Sequence, residues 1–299
     1  EALELTRKAG LNYLYHSGPF ETWGHFKLNG KSFPDNWNSM KRCVDIAEKQ
    51  GIHLGVHTLS NFITTNDPYV TPEPDKRLAQ VGSSGLAADI DARSTEIPVS
   101  SPRFFNQMKN NNLHAVIIGN EIIRYKEVTP GEPWMLTACI RGAFGTTPSV
   151  HRKGETVIKL MDHGYKTFLT DSRLSEEVAG NLASLFNYTG LCQMSFDGLE
   201  GNWSTGMGQY GCQLFVKTWY DKLTPGLKGK IINDASMPGH FNWHINTRYN
   251  WGEPWYAGFR ESQTQYRLKN QDYFRRNYIP GMLGWFSLTA ETSVEDIEW

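Results

Sequence analysis

The stretch Cys192-Gln193-Met194-Ser195-Phe196-Asp197-Gly198-Leu199-Glu200-Gly201 decides how the rest of the chain is read. Leu191 to Phe196 is an apolar run of strand length, opened by Gly190. It leads into a turn bracketed by Gly198 and Gly201 that carries two carboxylates, Asp197 and Glu200. Glycine relieves the backbone where a strand must stop and turn. Parallel α/β barrels place their chemistry at the C-terminal ends of strands, so both carboxylates are candidates for it. The plain alternative is an Asp-Gly turn followed by a solvated glutamate.

Outward from this stretch the same unit recurs. Leu11–His16 reads as a strand after a helix over 1–9 and Gly10; Asn38–Lys49 has helical apolar spacing and ends at Gly51; Ile52–His57 is the next strand. Further on, Thr167–Asp171 reads as a third strand, followed by a helix over Ser175–Phe186 with Ser175 as N-cap. The Asp197 strand is then fourth, a helix covers Tyr210–Leu223, Lys230–Asp234 is fifth, a basic-aromatic helix covers Gln263–Asn277 and Met282–Ser287 is sixth. Helix, glycine, apolar strand and polar loop are the rhythm of βα units. The expected fold is α/β, a (β/α)8 TIM-type barrel; six strands are read where a barrel needs eight, so two are either unrecognised or missing from a truncated C-terminal end.

Between Asp89 and Asp162 helix signals stop. Ile97–Val99, His114–Gly119, Glu121–Tyr125, Trp134–Ile140 and Thr156–Leu160 read as short antiparallel strands inserted after the second barrel strand. Long excursions at βα loops are tolerated. The expected division is a first barrel part, 1–88, a β-rich module, 89–163, and a second barrel part, 164–299. The module either leans over the active face to touch substrate or is a structural lid.

Composition narrows the partners. The 299 residues are enough for a large core. Lys and Arg total 30 against 31 Asp and Glu, so no overall field favours nucleic acid or a membrane surface. No apolar run reaches the roughly 18 residues that span a bilayer, and no signal peptide is read. Both ends read as cut, which is the expectation for a piece of a longer protein. Cys43, Cys139, Cys192 and Cys212 form no CxxC pair, which argues against a zinc site and leaves disulfides open. Aromatics make up 13% of the chain, with 10 Trp, and indole faces suit sugar rings.

The run 10–58, which contains "GHFKLNGKSFPDNW" and "GIHLGVHT", resembles the opening of the α-galactosidase-like clan of glycoside hydrolases. The matching positions are Trp23 in the loop after the first strand, Phe33-Pro34 leading into a helix, and Gly51-Ile52 with Gly55 leading the second strand. The resemblance implies a barrel glycosidase whose nucleophile, at the end of the fourth strand, is Asp197, and an extracellular or periplasmic location. The clan takes its acid/base aspartate from a later strand, and no aspartate here matches it. Glu253 and Glu291 are the candidates for that role, Glu253 being favoured because Trp251 and Trp255 would desolvate it and raise its pKa. Whether configuration is retained is left open, since that depends on the separation of the two carboxyl groups.

The strand ends also collect His16, His57, Asp171 and Asp234. The loop over 240–255 crowds Trp243, His244, Arg248, Tyr249, Trp251, Glu253 and Trp255 together, and long loops in compact domains are usually functional. In the favoured reading Trp243, Trp251 and Trp255 stack on sugars, while His16, His57, His244 and Arg248 bind hydroxyl or acidic substituents, with Glu200 and Asp234 in support. The substrate is then a poly- or oligosaccharide and no cofactor is needed. The histidine spacings match no strong metal-ligand motif, so no metal is expected. Two alternatives remain. A polysaccharide lyase would neutralise a uronate with Arg248 and take its proton with His244 or Tyr249. A non-catalytic barrel would bind carbohydrate without turning it over.

Overall fold

A computed structural model describes residues 1–106, 111–199, 201–202, 205–235 and 245–246, and the backbone of 248–249. The chain starts with helix α1 (Ala2–Lys8), strand β1 (Tyr13–His16), helix α2 (Trp37–Glu48) and strand β2 (His53–Leu59). Then come the short strands β3 (Phe62–Ile63), β4 (Gln80–Gly85), β5 (Ile97–Pro98), β6 (Ala115–Ile118), β7 (Glu121–Arg124), β8 (Glu127–Val128) and β9 (Met135–Thr137). Strands β10 (Thr156–Leu160), β11 (Asp162–His163) and β12 (Thr167–Leu169) lead to helix α3 (Ser172–Thr189). Strand β13 (Gln193–Asp197), helices α4 (Gly208–Asp221) and α5 (Pro225–Lys228), and strands β14 (Ile232–Ala235) and β15 (Arg248–Tyr249) follow.

The main sheet runs β1-β2-β13-β14-β15, every neighbouring pair parallel. Among the described residues it is an open α/β sheet, not a closed eight-stranded ring. One correction concerns strand count. Thr167–Asp171, expected as a barrel strand, is instead β12, antiparallel to both β3 and β11. β13 pairs directly with β2, so the Asp197 strand is third in sequence within this sheet. The cause is that Thr167, Phe168 and Leu169 are all buried, and a short run buried on both faces has no period to separate the two kinds of strand.

Asp171 ends that run as a helix cap. Its carboxylate accepts the Leu174 amide at 2.8 Å, so Asp171, not Ser175, is the N-cap of α3. Ser175 lies inside the helix, fully buried. Leu174, Val178, Leu182 and Phe186 follow at helical spacing on the buried face. Gly190 closes the helix at φ +81°.

One face of the main sheet packs on helices. Phe196 meets the Phe215 and Trp219 rings edge-on at 6.1 and 4.9 Å, and Trp219 meets Phe186 at 5.5 Å. The antiparallel strands form separate ladders, β4-β10-β6-β7, β5-β9-β8 and β11-β12-β3. The first two enclose an apolar cluster that includes Ile97, Val116, Ile118, Ile123, Leu136 and Val157. No helix among the described residues is long and apolar enough to cross a membrane. Cys139, Cys192 and Cys212 are buried and Cys43 is exposed.

This antiparallel part is fastened by a buried charge. Glu121, with no exposed surface, accepts bonds from Arg141 at 2.8 and 2.7 Å, from His151 at 2.8 Å, and from the Gly142 and Ser149 amides at 2.9 and 3.1 Å. Burial works against its charge, but these donors together hold its carboxyl below the usual carboxylate range. Its charge therefore contributes stability above the ordinary carboxylate pKa, and that stability is lost as pH falls through the depressed value. Removing one member of such a buried set costs about 3–5 kcal/mol. Glu121→Gln should lower the unfolding midpoint in urea at pH 7 by a corresponding amount. It should also flatten the fall of Tm below the ordinary glutamate pKa of about 4.3; an unchanged midpoint and slope would contradict this assignment.

Candidate active site

Alternation along β13 sends Met194 and Phe196 to the helices and Gln193, Ser195 and Asp197 to the other face. Register places Gly55, His57 and Leu59 of β2 beside those three residues, and Ile232 and Asp234 of β14 beside Gln193 and Ser195. Gly55 is there of necessity. A Cβ on it would stand 2.5 Å from the Cβ of Gln193, so only glycine lets the two strands carry Gln193 at this height.

Ser195 donates to Asp234 at 2.9 Å, and both are buried. Asp234 thus lies level with Ser195, deeper than Asp197 along the strand direction. Asp197 closes β13. One of its oxygens accepts the Gly198 amide at 2.8 Å and the other faces Nε2 of His57 at 3.3 Å. His57 Nδ1 lies 2.9 Å from the Ser17 carbonyl, which only accepts, so Nδ1 carries a proton. The ring can then donate to Asp197 only as an imidazolium. The His57 bond holds the Asp197 carboxyl below the usual carboxylate range, against the burial that would raise it, and the Gly198 amide adds to the effect.

The turn after Asp197 is built to hold it. Gly198 sits at φ +69°, its carbonyl accepts the Ser60 hydroxyl at 2.9 Å, and Gly201 returns an amide to the same carbonyl at 3.1 Å. Asn202 donates in turn to Ser60 at 3.1 Å.

Asp197 and His57 open onto a cleft of about 380 Å³ that Ser17, Gly18, Trp23 and Tyr165 help to line, within the size range of small-molecule sites. Trp23 is half-buried, and its amide bonds to Thr64 at 3.1 Å. The next residue, Gly24, packs on the buried Asp67 carboxylate and accepts Asn181 of α3 at 3.0 Å. Tyr165 is 51% exposed at the turn between β11 and β12, its ring 4.5 Å from His163 and 5.6 Å from Phe62. Two aromatic walls and an ionised carboxylate paired with a proton donor can seat a sugar ring and attack or deprotonate at its edge.

Of the residues expected from sequence, the structure brings His57 and Asp197 together and sets Asp234 below them. His16 is level with Val56, one position off His57, takes the Gly18 amide on Nδ1 at 3.1 Å and turns an edge to Phe33. Arg248 and Tyr249 form β15, with Arg248 level with Asp234. Glu200, Trp243, His244, Trp251, Glu253, Trp255 and Glu291 lie outside the described residues. Tyr165 and Ser17 were not singled out from sequence. An aromatic in a Gly164-Tyr165-Lys166 turn was the available signal for Tyr165; Ser17 contributes a backbone carbonyl and carried none.

These features define an α/β protein with a carboxylate site at the C-terminal ends of parallel strands. No family model matches the sequence, and no curated protein matches it. Among solved structures, the chain is similar to the Bacillus licheniformis trehalose-6-phosphate hydrolase TreA, with a TM-score of 0.54 and 8% identity over 95% of this chain and 52% of that one. It is also similar to a family GH13_31 enzyme, with a TM-score of 0.56 and 9% identity over 95% of this chain and 54% of that one. The likeness is one of fold, to TIM-barrel glycoside hydrolases, and does not single out the α-galactosidase-like clan. The chain spans about half the length of the structures it matches.

A side chain at position 198 would meet both a positive φ and the Leu59 Cδ2 atom at 2.6 Å. Gly198→Ala should therefore cost more than Gly10→Ala, where φ is +70° but nothing lies within 4 Å. The strain at a left-handed position alone is about 1–3 kcal/mol. Equal losses in urea denaturation would show that the Asp197 turn is not tightly packed.

Proposed function

We propose that this chain is the catalytic part of a glycoside hydrolase that cleaves a poly- or oligosaccharide. The observation that carries the reading is Asp197, held ionised by His57 at the mouth of an aromatic-walled cleft at a parallel strand end. The fold shared with TIM-barrel glycosidases supports it. The finer assignment, to the α-galactosidase-like clan, rests on Trp23, Phe33, Pro34, Gly51, Ile52 and Gly55. The location proposed, extracellular or periplasmic, is the one that the resemblance to the α-galactosidase-like clan implies.

In this reading Asp197 is nucleophile or base. Its two oxygens are fixed from either side by Gly198 and His57, which holds the carboxylate plane against the cleft. Trp23 and Tyr165 stack on the apolar faces of sugar rings, and Asp234 steadies the strand through Ser195. The proton for the leaving group is assigned to Glu253 or Glu291, with Glu200 in support. Trp243, Trp251 and Trp255 extend the sugar platform; His16, His244, Arg248 and Tyr249 contact hydroxyl or acidic groups.

The test follows reducing ends and ultraviolet absorbance on neutral and acidic polysaccharides for the wild type and Asp197→Asn. Loss of reducing-end formation by about 10²–10⁴-fold or more in the variant, with no absorbance gain, is expected of a carboxylate at the reacting centre. Rising absorbance that survives Asp197→Asn would mean elimination, and binding without turnover would mean a non-catalytic barrel. A pH profile gives a second check. Removing the His57 bond takes away the largest cause of the depressed Asp197 pKa, so His57→Asn should move the acidic limb of kcat/KM to higher pH. A limb that stays in place would remove Asp197 as its source.

A further inference from the structure

At the opposite end of the main sheet from the cleft, three donor groups from three elements converge. Glu48 is the last residue of α2, His53 the first of β2, and Cys192 immediately precedes β13. One donor atom from each, a Glu48 carboxylate oxygen, a His53 ring nitrogen and Cys192 Sγ, lies within 4.8 Å of the other two. His53 Nδ1 is 2.8 Å from Glu48 Oε1, and Cys192 Sγ is 3.9 Å from the same oxygen. A zinc tetrahedron built from bonds of about 2.0 Å to N and O and about 2.3 Å to S has edges of roughly 3.2–3.5 Å between these ligands. The 2.8 and 3.9 Å separations from Glu48 fall on either side of those edges, so shifts of about half an ångström would bring the Glu48 oxygen to ligand distance from the other two donors.

The backbone keeps the donors in place. The His53 amide bonds to the Asn12 carbonyl at 2.8 Å and the Cys192 amide to the Leu54 carbonyl at 2.9 Å, while the Tyr13 ring packs 4.9 Å from the His53 ring. Cys192 is buried, whereas Glu48 and His53 are partly exposed, which gives an ion a path from solvent.

We propose that Glu48, His53 and Cys192 form a binding site for a zinc-class divalent cation, with solvent in the fourth position. Thiolate and imidazole select zinc-like ions over magnesium or calcium, and two anionic ligands balance the ion's charge. On binding, the Cys192 thiol gives up its proton and the His53 proton moves to Nε2, so one proton is released per ion. Protons compete with the ion for the thiolate, so the site loads less readily as pH falls. A bound ion would clip the end of α2 to the starts of two central strands. In barrels this end of the sheet serves stability, separate from the catalytic end. The sequence spacing hides the site, because Cys192 is far from the other two ligands.

The test is a cobalt titration of the 299-residue chain, read by the thiolate-to-cobalt charge-transfer absorbance, with zinc as competitor. One cobalt per chain is expected, displaced by zinc, and zinc should raise Tm. Cys43→Ser, which removes the exposed thiol, should leave the band intact. Cys192→Ser should abolish it, and His53→Gln should weaken binding by at least about 100-fold, since even a residue behind a ligand is worth about 10–100-fold. No stoichiometric band, or a band that follows Cys43, would overturn the proposal. If Cys192→Ser fails to fold by circular dichroism, His53→Gln decides, and unchanged affinity there overturns it.

Discussion

The edge-on packing of Phe196 on Phe215 and Trp219 fixes one face of β13, and the rest of the site inherits its geometry from it. Large aromatic side chains in a close-packed interior admit one arrangement, so the strand can neither slide nor turn over. A slip of one residue would send Met194 and Phe196 to the polar side and Asp197 into the apolar layer. An ionised carboxylate buried there without a partner is too costly for any repacking to offset. The helix side of the sheet thus determines which residues face the cleft.

Given that register, the polar face follows. His57, Ser195 and Asp234 stand level across β2, β13 and β14, and Asp197 is one step further toward the strand ends. The pairing of His57 with Asp197 is possible because the Ser17 carbonyl takes up the other ring nitrogen. Ser17 follows β1 directly, so the outer strand of the sheet sets the ring orientation of a residue on its neighbour. The two aromatic walls come from elsewhere. Trp23 is carried by a loop anchored on Thr64 and α3, and Tyr165 by the turn between two antiparallel strands.

This division explains what could be read from the chain. The Asp197 turn was legible because Gly198 and Gly201 bracket it after a buried run, and both turn out to sit where a Cβ would clash. His57 was legible as the end of an apolar strand led by Gly51-Ile52 and Gly55. Of the antiparallel strands, β6, β7 and β10 fall where β-branched runs placed them, because those residues favour pleated surfaces. Thr167–Leu169 was misread for a physical reason: its burial is the same in either kind of sheet, and only pairing distinguishes them. The α3 cap was misread because Asp171 and Ser175 are both good capping residues, and packing of Ser175 inside the helix decided between them. Tyr165 reaches the cleft through the fold of a hairpin; its glycine-led turn marks the exposed aromatic but not the cleft that it lines.

The main sheet has two chemically distinct ends, and the parallel arrangement is what produces them. Every strand points the same way, so all starts collect at one edge and all ends at the other. At the ends, carboxylate, imidazole, a half-buried Trp23 and an exposed Tyr165 meet with open space beside them. At the starts, a carboxylate, an imidazole and a buried thiol meet with their donor atoms already close. An antiparallel sheet would have mixed these groups, putting His53 beside Asp197. With parallel strands, a cation at the starts would stand roughly 13 Å from His57, four residues on at about 3.3 Å each, where screening weakens its field on Asp197 and His57. Stability and chemistry can then be tuned independently in the same strands.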